Sequence, residues 1–250
     1  MTKSIQAMAA QGLKIQKIID TQMLEGVLDE GLAALYCDVF AGPPYNEEFY
    51  LEEAKDIFRS YFEANGKILL GRGLDTDEIE AFVVATPLKS KFDVASAAGV
   101  SKEVDQYFYI AEDGVSEAFR CRGISTRMKG LLLEECFANG YGKGLIRTSD
   151  RNYKQISAIN KTGGGLILDV FQDVARTVKG GAQEIDRSCL FEFNNRPSIK
   201  PLTVPHTQIR KLDDGRDIAF YEMMAGIKLP PRILRELILR CYPGLDDVVP

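Results

Sequence analysis

The residues with most chemical content lie in one run, Gly114-Val-Ser-Glu-Ala-Phe-Arg120-Cys121-Arg122-Gly123-Ile124-Ser125-Thr126-Arg127-Met128. A β-type run ends here, a glycine-containing turn follows, and an amphipathic helix begins. The free N–H groups at a helix start, with about half a positive charge from the helix dipole, favour an anion. Gly123 lacks a Cβ, so backbone can approach a phosphate closely. Ser125 and Thr126 add hydroxyl donors, and Arg120, Arg122, Arg127 and Lys129 stand against a single carboxylate, Glu117. The pattern predicts a cradle for phosphate or pyrophosphate. The same residues would equally form a strand-to-helix turn with a solvated basic face. Neither GKS nor GKT is present, and no G-x-G-x-x-G follows a strand, which disfavours P-loop and Rossmann nucleotide sites.

The rest of the composition narrows the chemistry. The chain has 250 residues, 45% hydrophobic and 27% charged, the profile of a folded globular protein. Its 31 basic and 36 acidic residues leave a net charge of −5, so general nucleic-acid binding is not expected. His206 is the one histidine, which excludes a site built on paired histidines, and no metal is expected. Cys37, Cys121, Cys136, Cys189 and Cys241 are odd in number, widely spaced and without a C-x-x-C, as in a reduced protein. No signal-peptide pattern and no apolar run of about 18 residues is present. The expectation is a cytoplasmic chain with no membrane span.

Several elements must position the cradle. Leu13–Ile19 reads as a strand. Leu24–Phe40 has helical spacing and ends at Gly42-Pro43-Pro44. Asn46 is placed to cap a second helix, with Glu47 and Glu48 in its first turn, running to Asn65-Gly66. Lys67–Gly71 and Ile79–Thr86 read as a hairpin, Pro87–Gln106 as a surface insertion, and Tyr107–Ala111 as a strand extending towards Val115. Ile124–Asn139 is helical and Leu145–Thr148 a short strand. Asn152–Lys161 is a helix stopped by Gly163-Gly164-Gly165. Leu166–Phe171 and Ser188–Phe193 close the fold. This order predicts an α/β chain with a mixed, mainly antiparallel sheet rather than a doubly wound one. Seven of the ten prolines follow Arg196. A domain over residues 1–194 is therefore expected, with a Pro-rich appendage over 195–250 that carries one amphipathic helix, Pro231–Cys241.

Arg120-x-x-Gly123-x-Ser125 resembles the R/Q-x-x-G-x-G/A pyrophosphate loop of the GNAT N-acyltransferases, and the element order over Leu13–Phe193 is similar to theirs. The resemblance implies a central sheet with a splayed strand, flanking helices, and acetyl-CoA or another acyl-CoA as co-substrate. By resemblance, Val115, Arg120, Cys121, Arg122, Gly123, Ile124, Ser125, Thr126 and Asn152 contact that molecule. Phe40, Pro44 and Tyr45, in a run similar to the family's loop between its first two helices, line the acceptor site. Ser125 departs from the family's Gly or Ala but is also small. Many members carry a Tyr in the helix after the Asn to protonate the leaving thiolate. Ile156-Ser157-Ala158-Ile159-Asn160-Lys161 holds none, and Tyr153 comes about two turns too early.

The implied reaction is attack by a neutral amine on a thioester, which needs a proton acceptor and a donor to the developing oxyanion, expected from backbone near Val115. Candidate catalytic groups are Tyr109, Glu112 and Asp113. Regular alternation puts Tyr109, Ala111 and Asp113 on one face and Glu112 on the other, whereas a bulge, common on the family's strand, would re-aim them. The acceptor is a small amine or an amine of a peptide or protein, and a homodimer stays open. The other reading is a GNAT-fold acyl-CoA-binding or scaffold protein without turnover.

Overall fold

A computed structural model describes residues 12–42, 45–149, 152–195, 206–211 and 217–221. Seven strands form one sheet in the order β1-β2-β3-β4-β5-β7-β6. β1 (Leu13–Lys17), β2 (Lys67–Gly73), β3 (Ile79–Pro87) and β4 (Tyr107–Val115) pair antiparallel in sequence order. β5 (Lys143–Ser149) lies parallel to β4, and the hairpin β6 (Gly165–Thr177) and β7 (Gln183–Asn194) adds antiparallel through β7. The sheet is thus mixed and mainly antiparallel, as the element order predicts. β7 ends at Asn194, and beyond it β8 (His206–Lys211) and β9 (Asp217–Tyr221) form a separate two-stranded hairpin that the sequence reading did not anticipate. The expected helix Pro231–Cys241 lies outside the described residues.

The expected helix over Leu24–Phe40 is two helices. α1 (Thr21–Val27) starts at Asp20, whose carboxylate accepts from Met23 N at 2.7 Å, and α2 (Ala33–Phe40) follows a wide turn over Leu28–Leu32. Gly31 sits there at φ +130, a backbone state that L side chains rarely adopt, and kinks the axis while the apolar face continues across it. α3 (Leu51–Glu63) begins later than expected. Glu53 reaches back to accept from Tyr50 N at 2.9 Å, so Tyr50 occupies the cap position. Asn46 does not cap. It has φ +51, and Glu47 beside it bridges to Val178 of the β6–β7 turn. The insertion Pro87–Gln106 contains a short helix, α4 (Phe92–Ala97).

α5 (Ile124–Ala138) and α6 (Tyr153–Lys161) cover one face of the sheet, where Met128, Leu132, Ile156 and Ile159 pack on Leu69, Val83, Phe108, Ile110, Phe191 and Phe193. On the other face, α1–α3 bury Leu24, Leu32, Tyr36 and Phe58 against Ile68, Leu70, Phe82 and Val84. Leu88, Val94 and Ala95 pack on Tyr107, Tyr109, Leu145 and Leu190. Burial of these apolar side chains, about 1.5–3 kcal/mol each, holds the helices to the sheet.

One irregularity decides the site. β4 faces β3 in the register Ala85↔Ile110 and then Val84↔Glu112, leaving Ala111 as an extra residue. The bulge reverses side-chain parity beyond it. Phe108 and Ile110 face α5, and past Ala111 the residue that faces α5 is Asp113. Tyr109 and Glu112 share the opposite face. The grouping expected from regular alternation is corrected accordingly.

Candidate functional site

β4 and β5 are hydrogen-bonded neighbours only from Tyr107↔Lys143 to Ile110↔Ile146. Beyond that, β4 stays with β3 as far as Ala81↔Val115, and β5 stays with β7 as far as Ser149↔Ser188. The two strands part and leave a notch in the middle of the sheet.

The run expected to form an anion cradle sits at the end of β4. Ser116 N donates to Glu80 O at 2.8 Å, Glu117–Phe119 makes one tight helical turn, and Arg120 Nε donates to Val115 O at 3.1 Å. The Arg122 guanidinium lies 4.8 Å from the centre of the Phe119 ring. Gly123, at φ +75, turns the chain into α5, a left-handed state that a Cβ would strain. A Cβ there would meet nothing within 4 Å, so the space beside it is open. Cys121 is exposed and also left-handed, at φ +64. The first helical bond is Arg127 N to Gly123 O at 3.1 Å, so the N–H groups of Ile124, Ser125 and Thr126 precede the helix's own ladder.

Two cradle residues face differently from what their types suggest. Ile124 is 2% exposed and offers only its backbone. Ser125 turns inward and donates to Asp113 Oδ2 at 2.7 Å. Lys129, counted among the cradle's cations by sequence, is 0% exposed. Its ammonium donates to Asp113 Oδ2 at 2.6 Å, to Ser125 Oγ, and to Gln155 Oε1 at 3.3 Å, while Gln155 Nε2 donates to Asp113 Oδ1. Asp113 thereby joins β4, α5 and α6. The cations left at the cradle are Arg120, Arg122 and Arg127.

On the opposite face of β4 a cavity of about 880 Å³ opens, walled by Tyr36, Phe40, Tyr45, Tyr109, Glu112 and Thr148. Glu112 accepts from Tyr61 Oη at 2.8 Å. Lys91 Nζ lies 3.5 Å from that phenol oxygen and 4.7 Å from the ring centre. Burial pushes the Glu112 carboxyl up to about 7, against the pull of the Tyr61 bond and the Lys91 charge. Burial likewise pushes Tyr109 up to about 12.

Tyr45 reaches from the α2–α3 loop towards the end of β5, where Asn152 Nδ2 donates to its Oη at 2.9 Å. Burial raises its phenol above the usual range, opposed by Thr148, Asn152 and the Arg176 charge. The Arg176 guanidinium lies 4.7 Å from the Tyr45 ring centre. Arg176 binds Glu47 and lies 2.9 Å from Asp186 Oδ2, fastening the β6–β7 hairpin to the α2–α3 loop. Phe40 and Tyr45 of the expected acceptor residues line the cavity, and Pro44 lies outside the described residues. Sequence reasoning did not single out Tyr61, Lys91, Thr148 or Arg176. They come from four separate elements and carry no local motif. Among the described residues no group of His, Cys, Asp and Glu is arranged to hold a metal ion, and no helix is long and apolar enough to cross a membrane.

No family model matches the chain, and no curated protein matches it in sequence. Solved structures match it in fold. A GNAT superfamily phosphinothricin acetyltransferase from Sinorhizobium meliloti, solved with AcCoA, aligns with a TM-score of 0.54 at 10% identity over 77% of this chain and 94% of its own. A ribosomal-protein-alanine N-acetyltransferase from Brucella melitensis gives 0.53 at 12%, and an N-acetyltransferase from Staphylococcus aureus Mu50 gives 0.52 at 14%. Each covers 72% of this chain and 98% of its own. The chain has the fold of the GNAT acetyltransferases.

Proposed function

We propose that this protein is an acyl-CoA-dependent N-acyltransferase that moves an acyl group, acetyl by default, to a primary amine. The observation that carries the reading is the notch between β4 and β5, with the cradle at one end and the Glu112 cavity on one side. Open space at Gly123 and the three N–H groups that follow it suit a pyrophosphate, with Arg120, Arg122 and Arg127 to neutralise it. Asn152 and the unpaired edge of β4 near Val115 suit the amide-bearing arm of CoA. Bound there, acyl-CoA supplies the activated thioester.

This chain's own groups do the rest. Glu112 takes the amine's proton. A carboxyl near 7 is half ionised at neutral pH and suited to this work. Asp113 is committed to Lys129, Ser125 and Gln155, so we assign it the positioning of α5 beneath the cradle. The aromatic wall and Glu112 receive the amine, beside Arg176, which also lines the cavity. The test is a panel of primary amines with acetyl-CoA, scored by release of CoA thiol. Acylation of at least one amine, lost in Glu112→Gln with CoA affinity kept, is expected. CoA binding without turnover across small amines and Lys peptides would instead favour a non-catalytic acyl-CoA binder.

A further inference from the structure

We propose that Lys91, in the turn after β3, is a positioning residue that acts on Glu112 through Tyr61. Its ammonium aims the Tyr61 hydroxyl hydrogen at Glu112 and holds that group as the carboxylate able to take the amine's proton. The inference rests on the acyltransfer reading above.

Anchoring is the first support. A surface lysine ordinarily carries its charge on a flexible stem. Here the backbone is fixed on both sides. Lys91 N donates to Leu88 O at 2.8 Å, and Lys91 O accepts from Ala95 N at 3.0 Å, so the residue ends one tight turn and starts α4. Leu88, Val94 and Ala95 are each 0% exposed and seat that turn on Tyr107, Tyr109, Leu145 and Leu190. Ser90 Oγ donates to Pro87 O at 2.8 Å and ties the turn to the end of β3. The stem of Lys91 thus leaves from a fixed base and reaches Tyr61 of α3.

Direction is the second. Lys91 Nζ lies 3.5 Å from Tyr61 Oη and 4.7 Å from the ring centre. An ammonium can only donate, so it takes up a lone pair of the phenol oxygen. The phenol's single hydrogen goes to Glu112 Oε1 at 2.8 Å. Tyr61 is 6% exposed, which leaves that hydrogen little water to turn to. Donors therefore run one way, from Lys91 to Tyr61 to Glu112, and each polarises the next. An ionised carboxylate, which only accepts, is the end that this order favours. The cavity wall takes in Glu112 but neither Tyr61 nor Lys91, so the pair supports Glu112 from behind the surface that meets the amine.

Charge is the third. Tyr36 of α2, Tyr61 of α3 and Tyr109 of β4 face Glu112 as neutral phenols. Glu47 of the α2–α3 loop and Asp113 of β4 oppose its negative charge, and Lys91 favours it. The cavity's arginines are committed elsewhere: Arg176 to Glu47 and Asp186, Arg147 to Asp93 and Gln172. Among the described residues no carboxylate forms an ion pair with Lys91, so its charge is free to act through the phenol.

The test titrates Glu112 itself. Protein labelled with carbon-13 at the glutamate carboxyls is followed by NMR, and the Glu112 resonance is assigned by its loss in Glu112→Gln. Glu112 should titrate near 7 in the wild type. It should titrate about one pH unit higher in Lys91→Met. Lys91→Arg, which keeps the charge, should restore the wild-type curve. Lys89→Met, which removes an exposed cation of the same turn, should leave it unmoved. In a Tyr61→Phe background, Lys91→Met should add under about half of its shift. With amine and acetyl-CoA saturating, kcat of Lys91→Met should fall about tenfold on the acid side of the limb and match the wild type on the plateau above it. A merely structural role would lower kcat at every pH. A Glu112 curve unmoved in folded Lys91→Met overturns the proposal, as does an equal shift in Lys89→Met or an undiminished one in the Tyr61→Phe background. A Lys91-dependent shift in a protein that acylates no amine supports the contact while the acyltransfer reading falls.

Discussion

Tyr61 Oη donates to Glu112 Oε1 at 2.8 Å, joining α3 to β4 on the cavity side of the bulge. The bond favours the carboxylate, and burial opposes it more strongly, leaving Glu112 near 7. On the proposed reading, the pair would set the pH at which Glu112 can act as a base.

With the amine saturating, kcat should rise with pH through about 7 as Glu112 ionises. Glu112→Gln should remove that limb and lower kcat by about 10²–10⁴-fold. Tyr61→Phe should move the limb to higher pH, because the lost bond had stabilised the charged form. A pH–rate profile of the three proteins checks this. A limb unmoved by either substitution would assign the proton to another group.

The same group bears on stability. Its folded pKa of about 7 lies above the ordinary 4.5, so between these values the folded state holds a proton that the unfolded state releases. This contribution is full below about 4.5 and is lost as pH rises through about 7. Denaturant midpoints for Glu112→Gln should therefore fall less over that interval than those of the wild type.

Lys129 and Asp113 should behave as a buried pair. Lys129→Ala leaves a carboxylate with 12% of its side chain exposed beside an emptied site, a loss of about 3–5 kcal/mol. Lys129→Met combined with Asp113→Asn should recover part of it, because no unpaired charge remains. Urea unfolding of single and double variants gives the coupling, and additive losses would show that the pair acts as two independent groups.

Gly123→Ala costs roughly 1–2 kcal/mol from the left-handed backbone at φ +75, with the cradle still open. Gly123→Glu adds bulk and negative charge where pyrophosphate is expected. Calorimetry with acetyl-CoA should show weakened binding in the first and none in the second, and unchanged affinity in a folded Gly123→Glu would remove the cradle from the site.

Deleting residues 195–250 leaves the seven-stranded sheet whole, since β7 ends at Asn194. The truncated chain should still bind CoA. It should melt lower and aggregate more readily than the full chain, because the sequence leads us to expect burial of Ile233, Leu234, Leu237, Ile238 and Cys241. Equal melting temperature and solubility would mark 195–250 as an independent arm.

What the sequence made legible was local. The cradle is one continuous run, and a glycine between basic and hydroxyl residues signals its turn directly. The bulge at Ala111 was not, because it exists only relative to β3 and decides which carboxylate faces the cavity. The β6–β7 hairpin runs past the expected Leu166–Phe171 and Ser188–Phe193. Gln172–Thr177 and Gln183–Glu184 continue the ladder beyond the buried core, where no apolar alternation marks a strand. The Asn46 cap failed for a similar reason. Its segment is taken up by a bridge to Val178, more than a hundred residues away.

Past Ile110 and Ile146 the sheet carries two bare edges that face one another inside the fold. An unpaired edge is a template for any extended backbone, and proteins ordinarily bury or blunt it. On the function proposed above, a pantetheine chain with amides of its own would pair with these edges as a surrogate strand. Until it does, a segment from a neighbouring molecule can take the place. On that reading the ligand would act as a chaperone as well as a reactant. Occupancy should raise the melting temperature by mass action and slow self-association together, and the empty protein should be the sticky one.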